Sequence, residues 1–295
     1  LAYPTLQDAL ASERPLQIVG VIHALAARIA EQSGFKALYL SGAGVANSRL
    51  ALPDLGLTSL NDVVEEVSRI TQATELPLLV DADTGWGNPI NIRRAISTLE
   101  RAGASGVHIE DQADYKRCGH REKKRIIRTA EMCTRIKAAL DGKQNTSFMV
   151  IARTDALASE ELNAVLDRAL AYEAQGADAI FVEAVTQLDQ YQTFTKALKV
   201  PVLANITEFG KTPLFTLQEL SQVKVAMVLY PLSAFRAMNA AAEKVYGAIR
   251  KEGTQQSVVA MMQDRKALYQ LLNYEAFEAE LETYLQATEN NNGNN

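Results

Sequence analysis

GVHIEDQADYKRCGHREKKRIIR, residues 106–128, begins as an apolar strand, closes that strand on Glu110 and Asp111, and then enters a polar loop. Its opening unit recurs. Gly34 is followed seven positions later by Ser41, Gly103 by Glu110 and Gly176 by Glu183, each time across a small residue and three apolar ones. One rule repeats: a glycine closes a helix, a strand runs, and a polar residue ends it. Outward from this unit, strand patterns cover 17–22, 37–40, 78–80, 107–109, 148–152, 179–182, 202–204 and 225–229. Helical spacing fills the intervals 24–32, 60–72, 90–101, 130–140, 159–175, 188–198 and 217–221, and a long helix starts near Ser233. Strict β-then-α alternation implies parallel strands with helical crossovers. Eight such units predict an α/β fold of the closed (β/α)₈ TIM type, with a doubly wound open sheet as the alternative.

Beyond Gly253 the pattern is helix alone, over 257–287, and the chain ends in ENNNGNN. No Pro/Gly/Ser linker divides it. Residues 1–288 therefore read as one barrel domain with appended C-terminal helices, and 289–295 as a disordered tail too polar to pack. The 295 residues suffice for a full core, and 47% hydrophobic with 22% charged residues is ordinary globular composition. A net charge of -5 argues against a nucleic-acid partner, because neutralising phosphates needs a basic surface. Two cysteines make no disulfide framework, so a reduced, cytoplasmic setting fits best. No apolar run reaches membrane-spanning length and the N-terminus has no signal-peptide pattern, although a start at Leu1 leaves open a trimmed segment.

In a barrel the reactive groups stand at the C-terminal ends of the strands. Here those positions hold Ser41 with Gly42, Asp81 and Asp83, Glu110, Arg153 and Asp155, Glu183, Asn205 with Thr207, and Arg236. Nearly every strand thus ends in a group that binds a metal or an anion. Asp81 and Asp83, two apart, are expected on one side of a strand, where like charges repel unless a cation or proton intervenes. Hard oxygen ligands select Mg²⁺ or Mn²⁺, with Asp54, Glu110 and Asp111 available to complete the shell; the plainer alternative is a pair of solvated loop aspartates. Arg153 and Arg236 are candidate anion clamps, since a guanidinium meets a carboxylate with two parallel hydrogen bonds. Ser41 to Gly44 and Gly85 to Gly87 read as short glycine turns, neither of them a nucleotide fingerprint.

Cys118 sits among Lys116, Arg117, His120, Arg121, Lys123 and Lys124, a setting that favours thiolate over thiol. A spare cysteine in a solvated basic loop is the alternative. His120 is placed to orient that loop or tune the thiol, and its charge and glycine content predict mobility. Cys133, in a helical pattern, reads as core packing, and His108 as a hydrogen-bonded core histidine.

The run from Lys116 to Arg121, with LYLSGAG (38–44), VDADTGWG (80–87), HIEDQ (108–112), IARTDA (151–156), ANITEFG (204–210) and LYPLSAFRAMN (229–239), resembles the isocitrate lyase and phosphoenolpyruvate mutase superfamily. Within it the motifs look like those of the 2-methylisocitrate lyase family, in family order, over about 16–273. The resemblance implies a barrel whose eighth helix is swapped onto a partner subunit in a homotetramer. It also implies a retro-aldol cleavage of a small tricarboxylate, 2-methylisocitrate, to pyruvate and succinate in propionate breakdown. Carried over by position, Asp81 and Asp83 hold Mg²⁺, with Asp54 and Glu110 behind its waters. Ser41, Gly42, Ala43, Gly119, Arg153, Glu183, Asn205, Ile206, Thr207, Arg236 and Arg265 line the substrate. Cys118 is the acid, and Tyr39 is one candidate for the base. Two positions depart from the family pattern: Ala43 stands in its usual triple glycine, and Trp86 replaces a phenylalanine, which would narrow the site.

Overall fold

The computed structural model describes residues 4–113, 116, 119 and 124–292. Eight strands, β1 (Leu16–Gly20), β2 (Ala37–Leu40), β3 (Leu78–Asp81), β4 (Gly106–Glu110), β5 (Met149–Thr154), β6 (Ala179–Val182), β7 (Val202–Asn205) and β8 (Met227–Tyr230), pair in parallel, each with the next. β1 also pairs with β8, setting Leu16 beside Met227, and so closes the barrel. The open-sheet alternative is thereby excluded.

The strands carry apolar side chains on both faces, as a parallel sheet covered by helices requires. The period of two splits them cleanly. Leu38, Leu40, Val80, Val107, Ile109, Val150, Ala152, Ile180 and Val182 face the helices, where Ile92, Ile96, Leu99, Met132 and Ile136 meet them. The alternate positions, Ile18, Tyr39, Leu79, Ile151, Phe181, Leu203 and Leu229, fill the barrel interior. Each fully buried Leu, Ile or Phe of these layers contributes about 1.5–3 kcal/mol.

The covering helices are α1 (Leu6–Ser12), α2 (Ala24–Gln32), α3 (Gly42–Leu50), α4 (Leu60–Thr71), α5 (Pro89–Arg101), α6 (Thr129–Gly142), α7 (Leu162–Gln175), α8 (Leu188–Ala197) and α9 (Leu217–Gln222). Their starts are written locally. Ser59 with Asp62 forms a capping box on α4, and Asn88 followed by Pro89 opens α5. Gly34, Gly103 and Gly176 follow α2, α5 and α7 with φ of 90, 105 and 107°, a left-handed turn that a side chain would strain. The repeated glycine of the sequence is therefore the device that turns each of these helices into its strand. α1 lies outside any sequence pattern read above; its Leu6, Ala9 and Leu10 pack with the interior layer of the barrel.

The chain divides into two compact units, 1–236 and 237–295, with the boundary inside α10 (Ser233–Glu252). The second unit continues through a 3₁₀ segment (Gln256–Met261) to α11 (Arg265–Leu272) and α12 (Tyr274–Asn292). α12 thus continues into the run 289–295 read as tail. On it Phe277, Leu281, Tyr284 and Leu285 share one face by spacing and are each more than half exposed. Among the described residues no helix is long and apolar enough to cross a membrane.

Candidate active site

The strand ends converge on a cavity of about 380 Å³ at the C-terminal mouth of the barrel. Register decides who meets whom. β3 sets Asp81 beside His108 of β4; one step on, Glu110 lies beside Arg153 of β5 and Arg153 beside Phe181 of β6. All five carry the inward parity.

Asp81 is the hub of one side. Its Oδ2 accepts from the Gly42 amide at 3.0 Å and from the Tyr39 hydroxyl at 3.4 Å, and its Oδ1 from the Asp83 amide at 3.0 Å. The Ser41 to Gly44 stretch is here the first turn of α3, not a free turn: the Ser41 Oγ caps it by accepting from the Gly44 amide at 3.2 Å. Asp83 also departs from expectation. β3 ends at Asp81, and Asp83 sits past it with φ 48°, so the two carboxylates converge through a left-handed turn rather than through strand alternation. The Lys116 ammonium bridges Asp83 to the loop before α4, where it meets Asp54 at 2.5 Å.

Arg153 is the hub of the other side. Its Nε donates to Asp155 Oδ2 at 2.9 Å and its Nη2 to Oδ1 at 3.2 Å, the fork-on-carboxylate geometry that fixes a guanidinium. Glu110 at 3.4 Å and Glu183 at 3.3 Å flank it, and it lies 5.0 Å over the Phe181 ring. Asn205 Nδ2 donates to Glu183 Oε2 at 3.2 Å.

The family model for phosphoenolpyruvate phosphomutase matches residues 6–250, more than half of the chain. The chain belongs to this family. Among its relatives, a 2-methylisocitrate lyase of Shewanella oneidensis is 55% identical over 276 residues, 94% of each chain. Solved phosphoenolpyruvate phosphomutase-like barrels include an oxaloacetate acetylhydrolase in complex with 3,3-difluorooxalacetate, at TM-score 0.88 and 30% identity over 95% of this chain and 96% of that one. A phosphonopyruvate hydrolase in complex with oxalate and Mg²⁺ matches at TM-score 0.83 and 30% identity, covering 95% and 98%. At that distance the shared fold hosts different reactions, so the choice among them rests on the site.

Of the positions expected in the site of this family member, Tyr39, Ser41, Ala43, Asp54, Asp81, Glu110, Gly119, Arg153, Glu183, Asn205, Thr207 and Arg236 line the cavity. Gly42 contributes its amide, as above, and Asp83 is buried beside Asp81. Two expectations change. The Ile206 side chain packs in the layer between strands and helices, because the residue after β7 returns to outward parity. Trp86 does not narrow the cavity: its Nε1 donates to the Thr58 carbonyl at 3.3 Å and its ring rests on the core. Arg265 is the first residue of α11, in the second unit. Cys118 and His120, and with them the expected loop mobility, lie outside the described residues. Sequence reading passed over Lys116 and Phe209, both on the cavity, having counted the first only as charge near Cys118.

The residues present fit a divalent cation. Among the described residues no three acidic, imidazole or thiol groups converge into a ready cage, and Mg²⁺ needs none, since it takes one or two carboxylates and keeps waters. The Asp81 and Asp83 pair supplies those two. Glu110 Oε1 is buried with no hydrogen-bond partner, an acceptor whose cost is recovered only by a ligand or its water. The Lys116 ammonium pairs with Asp54 and Asp83 beside this position.

Burial shapes their protonation. Asp83 is pushed up to about 7, first by desolvation and then by the Asp81 charge. For Asp81, desolvation is outweighed by His108, Lys116 and Arg153, and its carboxyl is held low. Desolvation also carries Glu110 well above its ordinary value and brings His108 down to about 4, so the imidazole is neutral. Tyr39 is raised well above 10, chiefly by burial and then by Asp81, and is a phenol at rest. As a base it must pass its own proton on, and His108 Nε2 at 2.9 Å is in place to receive it.

The Asp83 shift carries a stability prediction. Between its unfolded value of 3.8 and about 7 the folded state binds a proton that the unfolded state lacks, so this group lowers stability as pH rises through that window. Metal-free Asp83→Asn should therefore gain stability relative to the parent from pH 5 to pH 8, the gain levelling above 7. Parallel melting curves across that range would refute the shift.

Proposed function

We propose that this protein is a Mg²⁺-dependent carbon–carbon lyase that cleaves 2-methylisocitrate to pyruvate and succinate. The observation that carries the reading is the cavity itself, where paired aspartates face an Asp155-oriented arginine, in a chain 55% identical to a 2-methylisocitrate lyase. Such a substrate carries three carboxylates and a hydroxyl, and the cavity offers the groups to hold them. Arg153 and Arg236 take carboxylates, Ser41, Asn205 and Thr207 hydrogen-bond them, and the Gly42 and Ala43 backbone at the start of α3 favours an anion. Bound at Asp81 and Asp83, with Asp54 and Glu110 behind its waters, Mg²⁺ would act as a Lewis acid toward the hydroxy-acid end.

The chain's own residues supply the rest. The hydroxyl proton leaves toward Tyr39, which hands its own to His108; the carbon–carbon bond breaks, and the electron pair settles on a carbanion stabilised by its carboxylate. Arg153 provides fixed positive charge where that charge develops, and Cys118 delivers the proton that completes succinate. His120 orients the Cys118 segment. Phe181 and Leu229 form the apolar wall that accommodates the extra methyl group.

Arg265 is assigned to the same substrate, supplied by a swapped C-terminal segment within a homotetramer in the cytoplasm. What supports the assembly is the exposed apolar face of α12, with Phe277, Leu281, Tyr284 and Leu285. Sedimentation should give about four times 32.2 kDa.

The deciding assay measures pyruvate from 2-methylisocitrate and glyoxylate from isocitrate, each with and without Mg²⁺. Metal-dependent pyruvate release in large excess is expected. Dominant glyoxylate would overturn the methyl preference, and neither product would overturn the lyase.

A further inference from the structure

In the sequence Lys124 is one of several cations in a loop that reads as solvated, yet the structure leaves its side chain only 1% exposed. Its ammonium donates to Asp155 Oδ1 at 2.8 Å and to the Gly119 carbonyl at 2.6 Å. Burying an ammonium is costly unless it is paired and hydrogen-bonded, so a lysine is retained there only where both partners are met. Both partners belong to the cavity. Asp155 is the carboxylate that also orients Arg153, and Gly119 presses so closely on the site that a Cβ there would stand 2.4 Å from Arg153 Nη2 and 2.6 Å from Glu183 Cγ.

The platform beneath is rigid. The Asp155 amide donates to Asp111 Oδ1 at 2.9 Å, while Thr154 Oγ1 and the Tyr172 hydroxyl donate to Asp111 Oδ2 at 2.7 and 2.9 Å. Every member is buried, so Asp155 has no alternative place to swing. One carboxylate therefore references two things to the same point, the substrate-facing guanidinium and the peptide that follows Cys118 in sequence.

We propose that Lys124 is a positioning residue for the cleavage: clamped on Asp155, it holds the Gly119 carbonyl and so keeps the Gly119 backbone in register with Arg153. The inference rests on the lyase reading, and its test separates the two. Lys124→Met removes the ammonium at similar length, and Lys124→Arg restores charge and donors.

Two quantities are measured. The first is kcat and KM for pyruvate release at saturating Mg²⁺. The second is the iodoacetamide alkylation rate of Cys118 in substrate-free protein, read by mass spectrometry on its own peptide so that Cys133 does not interfere. For Lys124→Met, kcat should fall on the order of 100-fold with KM little changed, because a displaced acid costs rate rather than binding. Its Cys118 alkylation rate should change several-fold, and Lys124→Arg should recover most of both. A folded Lys124→Met with parental kcat, a loss carried wholly by KM, or unchanged Cys118 alkylation would each overturn the proposal. Should Lys124→Met not fold, Lys124→Gln, which keeps a donor for each oxygen, is read by the same criteria. If the parent enzyme releases no pyruvate the lyase reading falls, while the alkylation comparison still decides the placement.

Discussion

Cys118→Ser is expected to lower pyruvate release by about three orders of magnitude or more while leaving the fold intact. Cleavage leaves an electron pair on carbon, and the product forms only when a group of suitable acidity delivers a proton there. A thiol, with an ordinary pKa near 8.5, holds its proton at neutral pH and still gives it up readily; a serine hydroxyl is a far weaker acid. The described residues beside it in sequence, Lys116 and Gly119, both line the cavity. Pyruvate release coupled to a dehydrogenase, alongside melting curves, checks the expectation. Parental turnover in the serine variant would remove Cys118 from the acid role.

What the sequence revealed, and what it withheld, divides along the strand ends. Inside a strand, parity is fixed by the backbone, so Glu110 following His108, and Arg153 following Ile151, could be placed facing the interior from their spacing. Beyond the last strand residue that rule lapses. Asp83 reaches the site through a left-handed turn and Trp86 turns away to Thr58, neither of which follows from the period of two. The GAG of α3 looked like a turn because glycine is a poor helix former; the Ser41 cap outweighs that penalty. Lys116 and Lys124 were hidden for another reason. A cluster of charges reads as solvated until the fold brings carboxylates from just past β3 and β5 and from the loop before α4 to meet it, and those contacts are long-range.

Arg153 is where binding and stability are most tightly joined, and two substitutions should separate them. Arg153→Met leaves Glu110, Asp155 and Glu183 buried without the cation they share, at a cost of about 3–5 kcal/mol, the range for stripping one partner from a buried ion pair. In a chain this size that is a melting-point loss of roughly 10 °C. Activity should be lost altogether, because the remaining field would repel a tricarboxylate. Arg153→Lys returns the charge and most of the stability. It cannot set two parallel donors on Asp155, so the ammonium is free to choose among three carboxylates, and kcat/KM should stay on the order of 100-fold below the parent. Acid supplies the control. Burial already holds Glu110 well above its ordinary carboxylate range, so removing the guanidinium lets it keep its proton at still higher pH. The stability gap between Arg153→Met and the parent should therefore narrow as pH falls toward 5. If the gap is the same at pH 5 and pH 8, its origin is lost packing over Phe181 rather than unanswered charge.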